Sequence, residues 1–348
     1  MPANLSKIII LYQFILKRSI GYSLETIKMP PLVSIILPTF NRADLLPRAI
    51  NSVLAQTYPD WELLIWNDGS KDNTEKVIKS YKDYRIRLFS LDNHGMSYAL
   101  NQAIIQSRGE FVAFLDDDDQ WIPQKLQSQV RAMENHPGVE MLFGNYENLN
   151  LSSGKRGAGF QQNQAGLKQL KVTISQTDRL NLIQDGFLKG IARENFIAFD
   201  TVLIQKNTIE KLGTFNENLR NGEDFEYWWR LGLAGCSVAY MNEVILTRVK
   251  YPDSLSSHSL VSLHNFLNVL QSCEVYAEKL GQPQSKAYLK PRYRNTWQIL
   301  ITAYAKQRDL RNMTKSFLTT FKYGFSLGSF RLFLQGIIKY VIRYSYDH

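Results

Sequence analysis

The chain has 348 residues, of which 44% are hydrophobic and 21% charged, and this composition excludes a globally disordered protein. Its two cysteines, Cys236 and Cys273, exclude a disulfide framework and lack the spacing of a metal site. The net charge is +9, but residues 286–348 hold 12 Lys and Arg against 2 Asp and Glu, which leaves residues 1–285 close to neutral. A nucleic-acid-binding protein carries its positive charge on a folded reading surface, so we expect no nucleic-acid partner.

Residues 1–31 form an N-terminal extension with one apolar run, IIILYQFIL, at residues 8–16. A transmembrane helix requires roughly 20 apolar residues. Gln13 interrupts this shorter run, and Lys17 and Arg18 follow it in place of the small-residue cleavage site of a signal peptide. We therefore expect a helix that docks on the protein body or on lipid, and a cytoplasmic protein.

From residue 32 onward, short apolar runs alternate with helical stretches. The apolar runs lie at 32–37, 61–66, 85–91, 110–115 and 139–144, with helical stretches at 44–56, 72–82, 96–107 and 123–135. This alternation predicts βαβ units. Strands that are apolar throughout are typical of a parallel sheet covered on both faces. The sequence therefore predicts an α/β domain with a mostly parallel sheet flanked by helices.

Polar residues follow four of these strands. They are Pro38 to Asn41, Asn67 to Ser70, Asp92 to Gly95, and Asp116 to Asp119. Ligands of open α/β sheets bind beyond the carboxyl ends of the strands. Because these ends meet at one edge of the sheet, the sequence predicts one ligand site there.

The segment GEFVAFLDDDDQW places four adjacent carboxylates at one strand end. On an extended segment alternate side chains share a face, so Asp116 and Asp118 are expected on one side and Asp117 on the other. Two carboxylates in this D-x-D arrangement suit Mg²⁺ or Mn²⁺. The alternative is that acids cap a helix beginning near Pro123. Capping would explain Asp119 and extend to Asp118, but it leaves Asp116 and Asp117 unexplained.

Other phosphate-binding motifs are missing from the sequence, which has neither G-x-x-x-x-G-K-[ST] nor a strand-linked G-x-G-x-x-G. A nucleotide bound here therefore needs a metal on its diphosphate, which the aspartates offer. Residues 150–170 break the strand–helix rhythm with Gly, Ser, Gln and Asn. An apolar segment at 195–206, a helix at 223–235 and further helices over 260–310 are expected after this break.

Four segments, in this order, closely resemble glycosyltransferase family 2: VSIILPTFNR, WELLIWNDGSKDNT, GEFVAFLDDDDQW and NGEDFEYWWRL. The resemblance runs from about residue 32 to 255. It implies the GT-A (Rossmann-like) fold, in which one α/β domain binds a nucleotide-sugar at the carboxyl edge of its sheet. It also implies a nucleotide-sugar half at 32–150, an acceptor half at 151–255, and a helical C-terminal extension at 256–348.

The resemblance implies roles for individual residues at the nucleotide. Pro38, Thr39 and Asn41 would line the nucleoside pocket, and Asp68 would accept a hydrogen bond from the base, usually uracil or thymine in this family. Asn67 stands where many members have an aspartate, so the detail of base recognition differs here.

The resemblance also implies roles at the reacting groups. Asp116 and Asp118 would form the DXD metal motif, with Asp118 as the direct ligand, and Asp117 would belong to the nucleotide-sugar site. In the pair Glu223–Asp224, Asp224 would be the catalytic base.

The chemistry of sugar transfer requires acidic residues of this kind, independently of the family resemblance. Departure of a nucleoside diphosphate builds negative charge that a divalent cation stabilises. A carboxylate on the opposite face must take the proton of the acceptor hydroxyl, and this arrangement gives inversion at the anomeric carbon. Glu223 and Asp224 supply such a second acidic cluster. At the start of an apolar helix their pKa is expected to be lowered, and the alternative for the pair is a helix cap.

Two further features have alternative interpretations. Arg248, in the strand-like VILTRV, either touches the diphosphate or is solvated. Trp228 and Trp229 are adjacent on a predicted helix, so we do not expect both to face the core. One of them would then line the acceptor cleft, although core packing is the simpler assignment for either.

The tail SFRLFLQGIIKYVIRY, residues 329–344, has apolar residues at helical spacing, with basic residues elsewhere on the helix. Aromatic and basic residues on an amphipathic helix favour a membrane interface. The alternative is a helix packed on the protein body. Membrane contact would place the protein peripherally on the inner face of the plasma membrane, where the acceptor could be lipid-linked.

The sequence thus predicts an inverting, Mn²⁺- or Mg²⁺-dependent glycosyltransferase of the hexosyltransferase type. It would move a sugar from a UDP- or TDP-sugar to a glycan or polyprenyl-linked acceptor in cell-surface polysaccharide synthesis. The alternatives are a sugar nucleotidyltransferase and a catalytically inert nucleotide-sugar-binding scaffold. The first usually carries a glycine-rich loop after the first strand, where this chain has PTFNRADLL.

Overall fold

The computed structural model describes residues 32–150, 153–157, 159, 165–250, 259–324 and 326–344, with side chains except those of residues 250 and 339–344. The N-terminal extension predicted for residues 1–31 lies outside the described residues, as does the predicted boundary at residue 255. The division at 150 and 151 also stays a prediction. Residues 32–348 group as one compact unit.

The described residues form an eleven-stranded sheet. Its strands are β1 (Val33–Thr39), β2 (Trp61–Asn67), β3 (Ile86–Ser90), β4 (Phe111–Phe114), β5 (Gln120–Trp121), β6 (Met141–Asn150), β7 (Arg156–Gly157), β8 (Lys171–Ile174), β9 (Asn181–Asp185), β10 (Leu203–Gln205) and β11 (Val238–Lys250). The spatial order is β3-β2-β1-β4-β10-β6-β11-β9-β8, with β5 beside β11 and β7 beside β6.

The strands β3, β2, β1 and β4 are mutually parallel, and β6 and β11 are parallel to each other. Between these two groups β10 runs antiparallel to both β4 and β6. The predicted mostly parallel α/β sheet is confirmed. The sequence did not predict the antiparallel strand, because its three residues form only the end of the apolar segment expected at 195–206.

Helices cover both faces of the sheet. They are α1 (Leu46–Leu54), α2 (Thr74–Ser80), α3 (Met96–Gln106), α4 (Lys125–Asn135), α5 (Phe187–Arg193), α6 (Lys206–Leu212), α7 (Glu223–Leu233), α8 (Leu260–Lys279), α9 (Lys286–Lys306), α10 (Leu310–Thr320) and α11 (Leu327–Tyr344). Short 3₁₀ segments lie at Leu167–Gln169, Phe199–Thr201, Pro283–Ser285 and Phe321–Tyr323.

The core consists of two layers separated by the sheet. Along β1, Ile35 contributes to one layer and its neighbour Ile36 to the other, because successive side chains of a strand point to opposite faces. The layer containing Ile35 packs against α1 and α4, and the layer containing Ile36 packs against α3 and α7. Both faces are therefore apolar, as the continuous apolar strands predicted.

The C-terminal helices α8 and α9 share the second core layer with α7. The expectation that Trp228 or Trp229 lines a cleft is wrong, because both side chains are fully buried. Helix α8 packs against α7. The two helices are linked by the indole N–H of Trp229, which donates to the carbonyl oxygen of Cys273 on α8 at 3.0 Å. Among the described residues, no helix has the length and apolar character needed to span a membrane.

Candidate active site

The site lies at the carboxyl ends of β1, β2 and β4. Asp68 follows β2, and its two carboxylate oxygens accept hydrogen bonds from the backbone N–H groups of His94 and Gly95, each at 2.9 Å. Gly69 adopts a φ of +81°, a left-handed conformation that favours glycine. Asp68 is thereby held between the loops that follow β2 and β3.

The loop after β1 is tied to this edge by polar side chains. Asn41, with a φ of +54°, donates its backbone N–H to Ser70 Oγ at 2.8 Å. Its side-chain oxygen accepts the N–H of Lys71 at 2.7 Å. Thr39 donates its hydroxyl to Asp117 Oδ2 at 2.7 Å. These hydrogen bonds link the residues predicted at the nucleoside to the aspartate segment.

Two more of the residues predicted at the nucleotide have defined surroundings. Pro38 is buried in β1, opposite Trp66 of β2. Burial raises the pKa of Asp117 to about 6, although the hydrogen bond from Thr39 acts in the opposite direction. The structure thus gathers Pro38, Thr39, Asn41, Asp68 and Asp117 at one edge, while their roles toward a nucleotide stay predictions.

The four aspartates lie in a turn and not in an extended segment. Strand β4 ends at Phe114, and the N–H of Asp119 donates to the carbonyl oxygen of Asp116 at 3.3 Å. The expectation that Asp116 and Asp118 share one face was based on an extended segment, and that basis is wrong. Asp118 is not part of the carboxylate cluster that forms here, and its role as a metal ligand stays a prediction.

The carboxylate cluster consists of Asp116, Asp119 and Asp200, whose ligand oxygens all lie within 4.8 Å of one another. Asp200 belongs to the 3₁₀ segment just before β10, and its Oδ1 accepts the backbone N–H of Asp116 at 2.5 Å. The antiparallel strand β10, paired with β4, brings Asp200 to the end of β4.

Burial is the main cause of unusual pKa values in this cluster. It raises the pKa of Asp116 well above the ordinary range, and the neighbouring charges of Asp200 and Asp119 add to the effect. Burial and Asp200 raise the pKa of Asp119 to about 9. Burial also raises the pKa of Asp200. Three carboxylates crowded in this way require either protons or a cation.

The carboxylate cluster fits a divalent cation. Oδ1 of Asp116 and Oδ2 of Asp200 are buried and have no hydrogen-bond partner among the described residues. Such oxygens retain the lone pairs that Mg²⁺ and Mn²⁺ bind, and hard oxygen ligands are those that these ions prefer. Asp116, Asp119 and Asp200 would hold the ion.

The proposal that Asp119 caps a helix is wrong. Helix α4 begins at Lys125, and its N-cap residue Gln124 makes no side-chain capping bond. Asp119 is only 3% exposed, and its Oδ1 accepts the N–H of Val249 at 3.0 Å. Its carboxylate therefore belongs to the cluster and to β11.

Arg248, on β11, lies next to the carboxylate cluster. Its Nε lies 3.7 Å from Asp119 Oδ2, and its guanidinium lies 5.3 Å from the centre of the Tyr146 ring. Burial acts to lower the pKa of Arg248, but the carboxylates of Asp200 and Asp119 outweigh it and the net shift is upward. The Arg248 side chain is partly exposed, so one side of it lies against the carboxylate cluster while the rest is open to solvent.

The second acidic pair stands at the first turn of α7, after Gly222 with its φ of +70°. Asp224 accepts a hydrogen bond from the side-chain amide of Asn195 at 2.9 Å and another from the N–H of Phe225 at 2.7 Å. The lowered pKa values expected for the pair are wrong in sign. Burial, followed by the charge of Asp224, raises the pKa of Glu223 to about 7, and burial raises that of Asp224.

A cavity of about 270 Å³ joins the two acidic groups. Asp116 lines it from the carboxylate cluster, Glu223 and Asp224 from the start of α7, and Arg248 from β11. Asn195 lines the same cavity. The structure thus brings together residues that are more than 100 positions apart in the sequence.

Sequence reasoning did not identify Asp200 or Asn195. The signal for Asp200 was the lone charge in the apolar run NFIAFDTVLIQK, because a buried carboxylate requires a partner. Asn195 at the start of the same run offered no comparable signal, since its importance depends on contact with a distant helix.

The mostly parallel sheet with acidic groups at its carboxyl edge is the architecture of GT-A glycosyltransferases. Residues 34–176 match the family model "Glycosyl transferase family 2", so this part of the chain is a glycosyltransferase family 2 domain.

Curated relatives and a solved structure agree with this assignment. The chain is 30% identical over 289 residues to an uncharacterized glycosyltransferase of Rickettsia felis, covering 81% of this chain and 45% of the relative. It is 42% identical over 123 residues to the Escherichia coli UDP-Glc:alpha-D-GlcNAc-diphosphoundecaprenol beta-1,3-glucosyltransferase WfgD, covering 35% of this chain and 48% of WfgD. The chain thus spans about half the length of these relatives.

The fold is similar to that of S. aureus TarS 1-349 in complex with UDP-GlcNAc. The TM-score is 0.59 at 17% identity, and the match covers 85% of this chain and 93% of TarS 1-349. At this identity the likeness concerns the fold.

Proposed function

We propose that this protein is an inverting, divalent-metal-dependent glycosyltransferase that moves a sugar from a UDP- or TDP-sugar to a glycan or lipid-linked acceptor. The observation that carries the proposal is the cavity that Asp116, Glu223 and Asp224 line together. Transfer with inversion requires the leaving group and the base on opposite faces of the sugar. Two acidic groups that share one cavity support this arrangement.

Asp224 is the proposed catalytic base. The hydrogen bonds from Asn195 and Phe225 fix the orientation of its carboxylate. Burial raises its pKa, which makes the carboxylate a stronger proton acceptor than an exposed aspartate. In the proposed reaction it takes the proton of the acceptor hydroxyl as that oxygen attacks the anomeric carbon. Glu223, in the same cavity, would contact the acceptor.

The donor diphosphate would lie at the carboxylate cluster. A bound Mg²⁺ or Mn²⁺ would stabilise the negative charge of the departing nucleoside diphosphate. Arg248 offers a second positive charge near the cluster, because it lines the cavity and its Nε lies 3.7 Å from Asp119 Oδ2. We also propose that Asp118 binds this ion directly, as the sequence predicted.

The nucleoside would lie along the loops after β1 and β2. Asp68 keeps acceptor capacity for a base N–H, since a carboxylate can accept about four hydrogen bonds and two come from backbone groups. The UDP-GlcNAc complex of TarS and the UDP-Glc donor in the name of WfgD support a uridine donor. The diphosphoundecaprenol in the name of WfgD supports a polyprenyl-linked acceptor.

The first experiment is a thermal-shift panel of UDP, TDP, GDP and CDP, each with Mn²⁺ or with EDTA. We expect stabilisation by UDP or TDP that requires the metal and is lost in Asp116→Asn and in Asp118→Asn. Glu210→Gln, an exposed carboxylate of α6, is the control and should behave like the wild type. Stabilisation by nucleotide that is equal in EDTA would contradict metal dependence.

The second experiment measures turnover. The wild-type protein with a UDP-sugar and a diphosphopolyprenyl-linked sugar should release UDP, and NMR of the product should give an anomeric configuration opposite to that of the donor. Nucleotide binding without turnover for any donor would favour the inert scaffold. Release of pyrophosphate from a nucleoside triphosphate and a sugar phosphate would favour the nucleotidyltransferase.

A further inference from the structure

Helix α11 carries apolar side chains on two faces, and only one of them is used in packing. Phe333 stacks on Phe317 of α10 with ring centres 4.3 Å apart. Gln298 of α9 donates to Ser329 Oγ at 2.9 Å. A Cβ added at Gly336 would lie 2.6 Å from the sulfur of Met313, so α11 approaches α10 closely. The inner face of α11 is therefore firmly docked.

The outer face of α11 is also apolar. Leu327, Phe330, Leu334 and Ile338 follow one another at spacings of three or four residues, and they are between 41% and 77% exposed. This spacing places them on one side of a helix. The inner face packs on the protein body, as one interpretation of the tail expected. The outer face stays uncovered among the described residues, so it is available for the membrane contact that the other interpretation expected.

The apolar surface continues onto α10. Phe321 and Phe330 both pack against Phe317, with ring centres 5.3 and 6.3 Å away. Leu318, one helical turn before Phe321, is 60% exposed. We call the six exposed side chains together the tail surface: Leu318, Phe321, Leu327, Phe330, Leu334 and Ile338.

The charges near the tail surface have one sign. Residues 310–344 contain six Lys and Arg and no Asp or Glu. Three of the basic residues, Lys315, Lys322 and Arg331, are exposed on the elements that carry the tail surface. Arg331 follows Phe330 directly and so lies beside the outer apolar face of α11. A partner that covers this surface must be apolar and must also supply negative charge.

We propose that the tail surface binds an anionic phospholipid bilayer, with α11 lying in the plane of the interface. Exposed Phe, Leu and Ile beside Lys and Arg, on α11 and on the adjoining α10 and 3₁₀ segment, suit the boundary between acyl chains and headgroups. A second copy of this chain would bring two positively charged tails together. Residues 1–31 carry four Lys and Arg and one Glu, so they do not supply the negative charge either. This inference does not depend on the proposed reaction.

The test is flotation of the full chain with vesicles of equal parts phosphatidylglycerol and phosphatidylcholine, compared with phosphatidylcholine alone. Wild type should bind the anionic vesicles, and rising salt should weaken binding. The triple variant Phe330→Ser, Leu334→Ser, Ile338→Ser should lower the partition coefficient at least about ten-fold, because burial of each side chain is favourable. The control Ile105→Ser, Ile174→Ser, Val275→Ser changes apolar residues elsewhere that are at least as exposed, and it should bind like wild type.

A second variant tests the charges and leaves the packing of α11 intact. Lys315→Gln, Lys322→Gln, Arg331→Gln should lower the partition coefficient on the order of 100-fold, at about 1 kcal/mol for each cation near an anionic surface. Its control, Lys76→Gln, Arg131→Gln, Lys211→Gln, removes the same net charge from exposed positions on other helices. Circular dichroism and melting curves should show all four variants folded.

Several outcomes would overturn the proposal. Wild type could fail to bind either kind of vesicle, or all variants could bind equally. Binding could survive the tail variants but disappear on deletion of residues 1–28, which would assign it to the N-terminal extension. Wild type could also self-associate in solution and become monomeric in the first triple variant without binding vesicles, which would make the tail surface an interface between copies.

Discussion

The side-chain amide of Asn195 donates a hydrogen bond of 2.9 Å to Oδ2 of Asp224 and so links the segment before β10 to the first turn of α7. The other amide atom, Oδ1 of Asn195, is buried without a hydrogen-bond partner among the described residues. Asn195 therefore holds the proposed base while keeping one acceptor free beside the cavity.

Asn195→Ala should lower kcat and change the pH profile. The hydrogen bond from Asn195 acts to lower the pKa of Asp224, against the larger effect of burial. Its loss should raise that pKa further and move the acid limb of the pH–kcat profile to higher pH. A hydrogen bond to a charged group contributes about 1.5–3 kcal/mol, so kcat should fall at least about ten-fold at neutral pH, with the donor KM little changed.

The control for this variant is Asn216→Ala, which removes an amide hydrogen-bonded at 3.1 Å to Ser272 on α8. Asn216→Ala should leave the pH–kcat profile unchanged. An unshifted acid limb in Asn195→Ala would contradict the assignment of Asn195 as a positioning residue for Asp224.

Asp200→Asn should weaken metal binding while stabilising the metal-free protein. The amide oxygen can still accept the N–H of Asp116, so the local fold should persist. Removing one of three crowded carboxylates should increase the free energy of unfolding in EDTA by about 1 kcal/mol, a conservative value for close like charges. Calorimetric titration with Mn²⁺ should show at least about ten-fold weaker binding. Unchanged Mn²⁺ affinity would exclude Asp200 as a ligand, and Glu210→Gln is the matched control.

Glu223→Gln should change how stability depends on pH in the metal-free protein. The pKa of Glu223 is raised from 4.5 to about 7, so the folded protein keeps a proton that the unfolded chain releases in this range. The contribution of Glu223 to the wild-type free energy of unfolding should therefore be greatest below pH 4.5 and should fall as the pH rises toward about 7.

Across that range wild type should lose on the order of 3 kcal/mol relative to Glu223→Gln, which has no such proton. Urea unfolding in EDTA below and above the range measures the difference. Parallel curves for the two proteins would show that Glu223 titrates as an ordinary exposed glutamate.

Gly69→Ala should impair nucleotide binding more than stability. A Cβ at this position would lie 2.8 Å from the backbone nitrogen of Asn93, and the φ of +81° adds strain of about 1–2 kcal/mol for alanine. The loop that would shift carries the two N–H groups bonded to Asp68. Nucleotide-dependent thermal shifts should therefore be lost. Gly138→Ala, where a Cβ meets nothing within 4 Å, should retain them.

Local patterns account for what the sequence predicted correctly. Strands β1 to β4 and helices α1 to α4 begin and end within about two residues of the predicted bounds, because their periodicity and stop signals are contained in each segment. The gathering of Thr39, Asn41 and Asp68 at one edge follows from the parallel order of those strands.

The features that the sequence did not predict depend on strand pairing and packing between segments that are distant in the chain. Asp200 reaches the carboxylate cluster only because β10 inserts antiparallel between β4 and β6, and three residues carry no sequence signal for that position. The pKa of Glu223 was expected to fall from its place at a helix start. Burial beneath neighbouring segments, which local sequence does not reveal, reverses that sign.

The hydrogen bond between Asp116 and Asp200 spans 84 residues and has a consequence for biosynthesis. A nascent chain that ends before Asp200 can form β1 to β4 but has only two of the three carboxylates of the cluster. If the cluster binds the proposed ion, all three carboxylates become available to it only after translation has passed β10 and that strand has entered the sheet. In the proposed reaction, binding of the metal by all three carboxylates would thus follow the joining of the two groups of parallel strands through β10.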